Sequence, residues 1–134
     1  MKKLIIFLLF FLIIVFAGCT ATTDFDRESV IKITDPIIDN TMEGLNENNY
    51  EKFTQYYTDS YKKSFPESAF LKFTEGFYES PGKCISWELY NIKQINNGFL
   101  IHYKGVFEKR DSVAITVTYE ISNGEYKIKK LRFY

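Results

Sequence analysis

Two Asn-Gly turns set between alternating apolar runs are the feature that most limits how this chain can fold. Asn97-Gly98 and Asn123-Gly124 suit the positive φ angles that a two-residue hairpin turn requires. Residues 113–121 lie between these turns and alternate apolar with polar side chains, which is typical of a strand with one buried face. We therefore predict four antiparallel strands over residues 83–134, covered on one face by the helices that precede them.

Breaks in the alternation predict that this sheet is curved. The apolar phase changes near Leu89 and Tyr90 in the first strand, and between Ile128 and Leu131 in the last one. Such phase changes indicate β-bulges, and Gly105 inside the second strand also favours a bend. The first strand is expected to bury three side chains of one phase: Ile85, Trp87 and Leu89.

Three helices are predicted before the sheet, and the first contains a proline. Its apolar stripe continues through Pro36 without a change of phase, which favours one long, bent helix that starts near Asp26. A shorter helix that starts at Pro36 with Asp35 as its cap is the alternative. The polar residues 46–49 end the helix in either case.

The other two helices have their own start signals. The second is predicted over residues 50–58, with Asn48 or Asn49 as its cap. The third is predicted to start at Ser64, which forms a capping box with Glu67, and to end at residues 80–82.

The beginning of the chain has the three parts of an export signal. Lys2 and Lys3 precede the apolar residues 4–16, and small residues follow. The apolar run is shorter than the roughly 20 residues of a bilayer-spanning helix. Cys19 follows Ala17-Gly18, and this arrangement resembles the lipobox of prokaryotic lipoproteins.

The resemblance implies an exported lipoprotein anchored to the prokaryotic cell membrane through an acylated Cys19. Residues 1–18 would be the lipoprotein signal peptide and residues 19–27 a short tether. Acyl chains such as palmitate contribute about 0.8 kcal/mol per buried CH₂, and two or more chains anchor a protein stably. An ordinary signal peptide or an uncleaved anchor with an accidental cysteine is the alternative.

Residues 28–134 resemble the nuclear transport factor 2-like (cystatin-like) superfamily. Three stretches carry the resemblance: residues 43–53, where a long helix ends and a second begins, residues 64–70, and the last-strand motif at residues 124–128. The resemblance implies a cone, in which the four-stranded antiparallel meander wraps around the first of three helices. It also implies an apolar pocket at the open end of the cone. The predicted fold class is accordingly α+β.

Composition and residue types exclude several kinds of chemistry. Basic and acidic side chains balance at 17 each, so the overall charge predicts no nucleic-acid partner. His102 is the single histidine and alternates with apolar neighbours, which indicates a surface position and no zinc site. Glu88 is a candidate functional acid or a solvated surface group. Cys84 is a buried small residue, a reactive thiol, or a disulfide partner of Cys19.

The aromatic residues suggest a binding site. Aromatic side chains make up 18% of the chain, and plain core is the alternative role for them. The residues expected to line a pocket are Tyr56, Phe73, Phe77, Trp87 and Tyr103. We therefore expect a non-catalytic module, without a cofactor or a metal, that binds a small apolar ligand or an envelope protein. A homodimer through the sheet and a small cone-fold enzyme, an isomerase or hydrolase, are the further alternatives.

Overall fold

The structure is a computed structural model and describes residues 25–134. The predicted signal peptide, Cys19 and most of the tether lie outside the described residues. Helices precede the strands, as predicted. The helices are α1 (Arg27–Asn46), α2 (Tyr50–Phe53), α3 (Asp59–Ser64) and α4 (Glu67–Glu79), and the strands are β1 (Cys84–Ile95), β2 (Gly98–Phe107), β3 (Arg110–Ser122) and β4 (Glu125–Phe133).

Helix α1 is the long helix that the sequence favoured. The Asp26 side chain accepts a hydrogen bond from the backbone N–H of Glu28, and the helix continues through Pro36. Thr34 faces the core, whereas Ile33 is 42% exposed. The buried residues recur at helical spacing, so one stripe of α1 packs against the sheet. They are Val30, Thr34, Ile37, Ile38, Thr41, Met42, Gly44 and Leu45.

Helix α2 is shorter than predicted. Asn49 caps it, as one of the two expected alternatives, but the helix ends at Phe53 instead of residue 58. The following residues leave the helix because they pair with β4. The Ile128 N–H donates to the Tyr56 carbonyl at 2.6 Å, and the Thr58 N–H donates to the Ile128 carbonyl at 2.9 Å.

The predicted capping box at the start of the third helix is wrong. Ser64 is the last residue of the separate helix α3, and its hydroxyl donates to the Tyr61 carbonyl at 2.8 Å. Helix α4 starts after Pro66, whose side chain makes no capping hydrogen bond. The helices therefore number four in residues 25–134, since the stretch expected to connect two of them is itself helical.

The four strands form one antiparallel sheet in chain order. Asn97 and Asn123 have φ angles of 59° and 52°, which confirms the two predicted hairpin turns. Register shifts leave Tyr90 as an extra residue in β1 and Lys129 as an extra residue in β4, so both predicted bulges are confirmed. The sheet is therefore a curved meander, and the predicted α+β fold class is confirmed.

A third register shift, at the start of β1, was not predicted. It falls between Cys84 and Ser86 and leaves Ile85 as the extra residue. Ile85 is 67% exposed, so the prediction that it is buried is wrong. Trp87 and Leu89 are only half-buried, because β1 is an edge strand that few residues of the helices cover.

The core lies between the helices and the concave face of the sheet. Ile101, Ile115 and Val117 are fully buried there, and they come from the two central strands. The opposite, convex face carries no helix in the described part of the chain. Within residues 25–134 we find no helix that is both long and apolar enough to cross a membrane.

Candidate functional site

A pocket of about 400 Å³ opens between helices α2–α4 and strand β4. Its side-chain lining is almost wholly apolar and rich in rings. We call it the aromatic pocket. Its aromatic and aliphatic lining residues are Phe53, Tyr57, Tyr61, Phe65, Phe73, Leu131, Phe133 and Tyr134, and Arg132 is the charged residue at its border. A volume of this size is typical of small-molecule sites, which are concave and largely apolar.

Hydrogen bonds from Tyr61 hold one wall of the aromatic pocket in place. The Tyr61 hydroxyl accepts a hydrogen bond from the Leu131 N–H at 3.0 Å and donates to the Leu131 carbonyl at 3.2 Å. The Tyr61 ring stacks on the Tyr57 ring, with centroids 4.6 Å apart. The helical segment before α4 therefore closes the outer edge of β4 and fixes the position of two rings in the pocket.

The five side chains that the sequence suggested for a pocket do not share one cavity. Phe73 lines the aromatic pocket and packs on Phe77 at 5.0 Å, but Phe77 itself belongs to the buried core. Trp87 and Tyr103 contact each other, with centroids 5.3 Å apart, on the side of the sheet near α1 and β1. Tyr56 is half-buried and contributes its carbonyl to the pairing with β4.

Sequence reasoning missed most of the rings that line the aromatic pocket. Phe133 had a usable signal, because the bulge predicted in β4 places it on the same face as Leu131. Tyr61 and Phe65 had none, since they lie in short segments without a periodic pattern. Their positions depend on tertiary contacts with β4 and α4.

A second opening, also of about 400 Å³, lies between α1 and β1. The indole N–H of Trp87 donates to Asp39 at 3.1 Å across it. The Asn46 side chain exchanges two hydrogen bonds of 2.8 Å with the backbone of Cys84, which joins the end of α1 to the start of β1. Glu43 also lines this opening, so its rim is acidic.

Cys84 borders the second opening as a half-buried thiol. Burial raises the pKa of the Cys84 thiol to about 11, so the thiol is almost wholly protonated at neutral pH. Among residues 25–134 it has no disulfide partner. Its sulfur donates to the Ser86 carbonyl at 3.6 Å.

Two tyrosine hydroxyls lie buried beneath α1. Tyr103 and Tyr119 are 2% and 0% exposed, and neither hydroxyl has a hydrogen-bond partner of acceptable geometry in the described part of the protein. Burial raises the pKa of both phenols, and the two hydroxyls also lie close enough to each other to influence one another's pKa. Unpaired phenols of this kind are hydrogen-bond donors that a carbonyl group could use.

Asp35 is the acid whose charge acts on these phenols, and it was not among the predicted site residues. Partial burial raises the pKa of the Asp35 carboxyl, and repulsion from Asp39 raises it further. The strand pattern directs attention to carboxylates on the sheet, whereas Asp35 belongs to α1. The arrangement could accept and donate protons at the edge of the cone.

The remaining candidates lie elsewhere. The ring Nδ1 of His102 is 3.2 Å from the Thr116 hydroxyl on the convex face of the sheet, and Glu88 is exposed on the same face. In the stretch that the structure covers, no three His, Cys, Asp or Glu side chains are grouped as a metal site would require.

A curved antiparallel sheet around a long amphipathic helix defines a cone-shaped α+β domain, and solved structures share this architecture. One is an NTF2-like protein of Campylobacter jejuni, described as a candidate transpeptidase, with a TM-score of 0.57, 10% identity, and coverage of 72% of this chain and 96% of that chain. Another is an NTF2-like protein of unknown function from Pseudomonas putida KT2440, with a TM-score of 0.51, 14% identity, and coverage of 81% and 87%.

The domain therefore has the nuclear transport factor 2-like fold, as the resemblance in the sequence implied. At these identities the likeness concerns the fold alone. No protein-family model matches the sequence, and no curated protein matches it either.

Proposed function

We propose that this protein is an extracytoplasmic lipoprotein, anchored to the cell membrane through Cys19, whose domain binds a small apolar ligand without catalysis. The observation that carries the binding role is the aromatic pocket, which offers about 400 Å³ between apolar walls. The Tyr61 hydrogen bonds to β4 support this role, because they fix one wall of the pocket in position without a ligand. The alternative occupant of the aromatic pocket is an apolar side chain that an envelope protein inserts into it.

The anchor is supported by the sequence before the domain. Cys19 follows Ala17-Gly18 and an apolar run, as in prokaryotic lipoproteins. The stretch from Cys19 to Phe25 spans at most about 20 Å, so the anchored domain would remain close to the lipid surface.

A pocket-filling substitution tests the binding role. In Phe73→Trp the larger ring occupies the aromatic pocket, whereas in Leu71→Trp the same ring is added on the exposed side of α4. The full chain is purified from membranes, and the compounds that remain bound are identified by mass spectrometry. We expect wild type and Leu71→Trp to carry the same apolar compound, and Phe73→Trp to retain about tenfold less, equivalent to about 1.4 kcal/mol.

Two results would contradict the binding role. One is wild-type protein that carries no compound. The other is Phe73→Trp that retains as much compound as the Leu71→Trp control.

A small cone-fold enzyme is the second candidate, and the buried phenols favour it. The hydroxyls of Tyr103 and Tyr119 are buried close to each other, and the nearby Asp35 could act as a general base. The transpeptidase description of the Campylobacter protein gains no support from Cys84, whose pKa of about 11 leaves little thiolate for acyl transfer. A bound compound that is lost in Tyr103→Phe, but kept in Phe73→Trp, would favour the enzyme over the binding module.

A further inference from the structure

The convex face of the sheet is strongly cationic. The strand register places the side chains of Lys93, Leu100, Thr118 and Lys130 in one outward row, and the row of Asn91, His102, Thr116 and Arg132 follows it. We define the cationic face as the outward basic side chains of β1–β4, which are Lys93, Lys104, Lys127, Lys129, Lys130 and Arg132. Its acidic members are Glu88, Glu120 and Glu125, and Glu125 pairs with Lys127 at 3.6 Å.

Most of this charge is not neutralised within the domain. Lys129 pairs with Glu120 at 2.8 Å. Among the residues that the structure describes, Lys93, Lys104, Lys130 and Arg132 form no ion pair. A row of like charges repels itself, so an anionic surface that covers this face would relieve the repulsion.

The charge is segregated between the two layers of the fold. Residues 25–83, which form the helical layer, hold seven basic and eleven acidic side chains. Residues 84–134, which form the sheet, hold eight basic and five acidic ones. The balanced charge of the whole chain is therefore divided into a net positive sheet and a net negative helical layer. This separation of charge would orient the domain in an electric field.

The tether joins the domain at the end of the sheet where the cationic face is densest. The Phe25 ring packs on Phe99, with centroids 5.1 Å apart. Phe99 belongs to the buried, concave face of the sheet, and its strand row lies beside the row of Lys93 and Lys130, which point outward on the convex face. The tether and these lysines therefore lie at the same end of the sheet but on opposite faces. An anchor at Cys19 would therefore hold this end of the sheet close to the lipid headgroups.

We propose that the cationic face docks on the anionic headgroups of the membrane in which the protein is anchored. The proposal rests on the lipid anchor of the proposed function, which keeps this face at a high effective concentration near the bilayer. A second copy is a poor occupant, because two cationic faces would meet. Docking would turn the helices, the aromatic pocket and the second opening away from the headgroups.

Lysine reactivity measured on the anchored full chain tests this orientation. The protein is reconstituted into vesicles of phosphatidylcholine, or of phosphatidylcholine with about 30% phosphatidylglycerol, and its lysines are acetylated and mapped by mass spectrometry. We expect acetylation of Lys93, Lys104 and Lys130 to slow about threefold or more in the anionic vesicles. Lys63 and Lys72, exposed on the helical layer, serve as internal controls and should react equally in both.

Salt and charge reversal give the matched controls. About 0.5 M NaCl shortens the screening length to about 4 Å and should restore the reactivity of the three sheet lysines. In the double variant Lys93→Glu, Lys130→Glu, Lys104 should no longer be protected from acetylation in the anionic vesicles. The double variant Lys63→Glu, Lys72→Glu makes the same change of charge on the helical layer and should retain that protection.

The outcomes separate the docking proposal from the anchor. Protein that does not float with either vesicle shows that the anchor is wrong, and the proposed function then fails with it. Protein that floats with both vesicles while its sheet lysines react equally in them overturns docking and leaves the anchor intact. If the sheet lysines are protected from acetylation equally in neutral and anionic vesicles, and this protection grows with protein density, the occupant is a second copy. That result also overturns the proposal.

Discussion

Cys84 shows how a single position in the fold decides the chemistry of a residue. The sequence left three roles open for it, because composition does not reveal how deeply a strand's first residue is covered. In the structure Asn46 binds the Cys84 backbone and the thiol is half-buried. Burial raises the pKa of this thiol to about 11 and so favours the unreactive form.

We therefore predict that Cys84 reacts slowly with thiol reagents. Its pKa is raised from 9.0 to about 11, so the thiolate fraction at neutral pH falls by about a hundredfold. Iodoacetamide should therefore alkylate Cys84 about a hundredfold more slowly in the folded full chain than in the urea-unfolded chain. Equal rates would show that Cys84 is exposed.

Asp35 should destabilise the fold when it is ionised. Its folded-state pKa is raised above the ordinary value of 3.8, by partial burial and then by Asp39, so the folded state disfavours the charged carboxylate. This cost is present above the folded-state pKa and disappears as the pH falls below about 3.8. Asp35→Asn should raise the free energy of unfolding at pH 7 by roughly a few tenths of a kcal/mol, because water screens a partly exposed group.

Urea denaturation of Asp35→Asn and wild type at pH 7 and at pH 3 measures this difference. A difference that is equally large at pH 3 would assign the effect to packing rather than to charge.

Among the elements, long periodic segments were predictable and short ones were not. The stripe through Pro36 predicted α1, and the Asn-Gly turns with their flanking alternation predicted the four strands. The split of residues 50–64 into α2 and α3 could not be predicted, because it depends on pairing with Ile128 about seventy residues later. The aromatic pocket was missed for the same reason, since its walls meet only after that pairing.

Two glycines in helices test how tightly these elements pack. A Cβ on Gly44 of α1 would lie 2.4 Å from the backbone nitrogen of Phe53, whereas a Cβ on Gly76 of α4 would meet nothing within 4 Å. Gly44→Ala should lower the free energy of unfolding by roughly 1–3 kcal/mol, because the backbone of α2 must move. Gly76→Ala should raise it by about 0.5–1 kcal/mol, because alanine favours the helix.

Guanidinium denaturation of the two variants and wild type gives both values. Because the two substitutions are chemically the same, equal effects would contradict the close contact between α1 and α2.

For the whole molecule, the main consequence of the fold is the separation of charge between its two layers. The net charge of the chain predicted no nucleic-acid partner, and it could not reveal that strand alternation places six basic side chains on one face. Only the register of the sheet brings Lys93 and Lys130 into one row. The alternation within each strand can be predicted from the sequence. The register between strands, which decides which outward side chains become neighbours, cannot.

The proposed lipid anchor gives a prediction for the full chain. Cys19→Ser removes the sulfur that would carry the acyl chain, so the variant should leave the membrane fraction or remain unprocessed. Cys84→Ser is the matched control, because Cys84 lies within the folded domain, and it should remain in the membrane fraction. Membrane fractionation with labelled palmitate measures both variants. If Cys19→Ser matures and fractionates like wild type, lipidation at this residue is wrong.

The two edges of the sheet differ in a way that would matter if the domain is anchored in a bilayer as proposed. Residues 56–61 cover the edge of β4, whereas β1 has an open edge that the extra residues Ile85 and Tyr90 interrupt. Neighbouring copies that diffuse in one plane would meet repeatedly, and an unbroken edge would let one sheet continue into the next as a fibril. The two interruptions leave β1 only short runs of regular backbone, which disfavours pairing with the strand of a neighbouring copy.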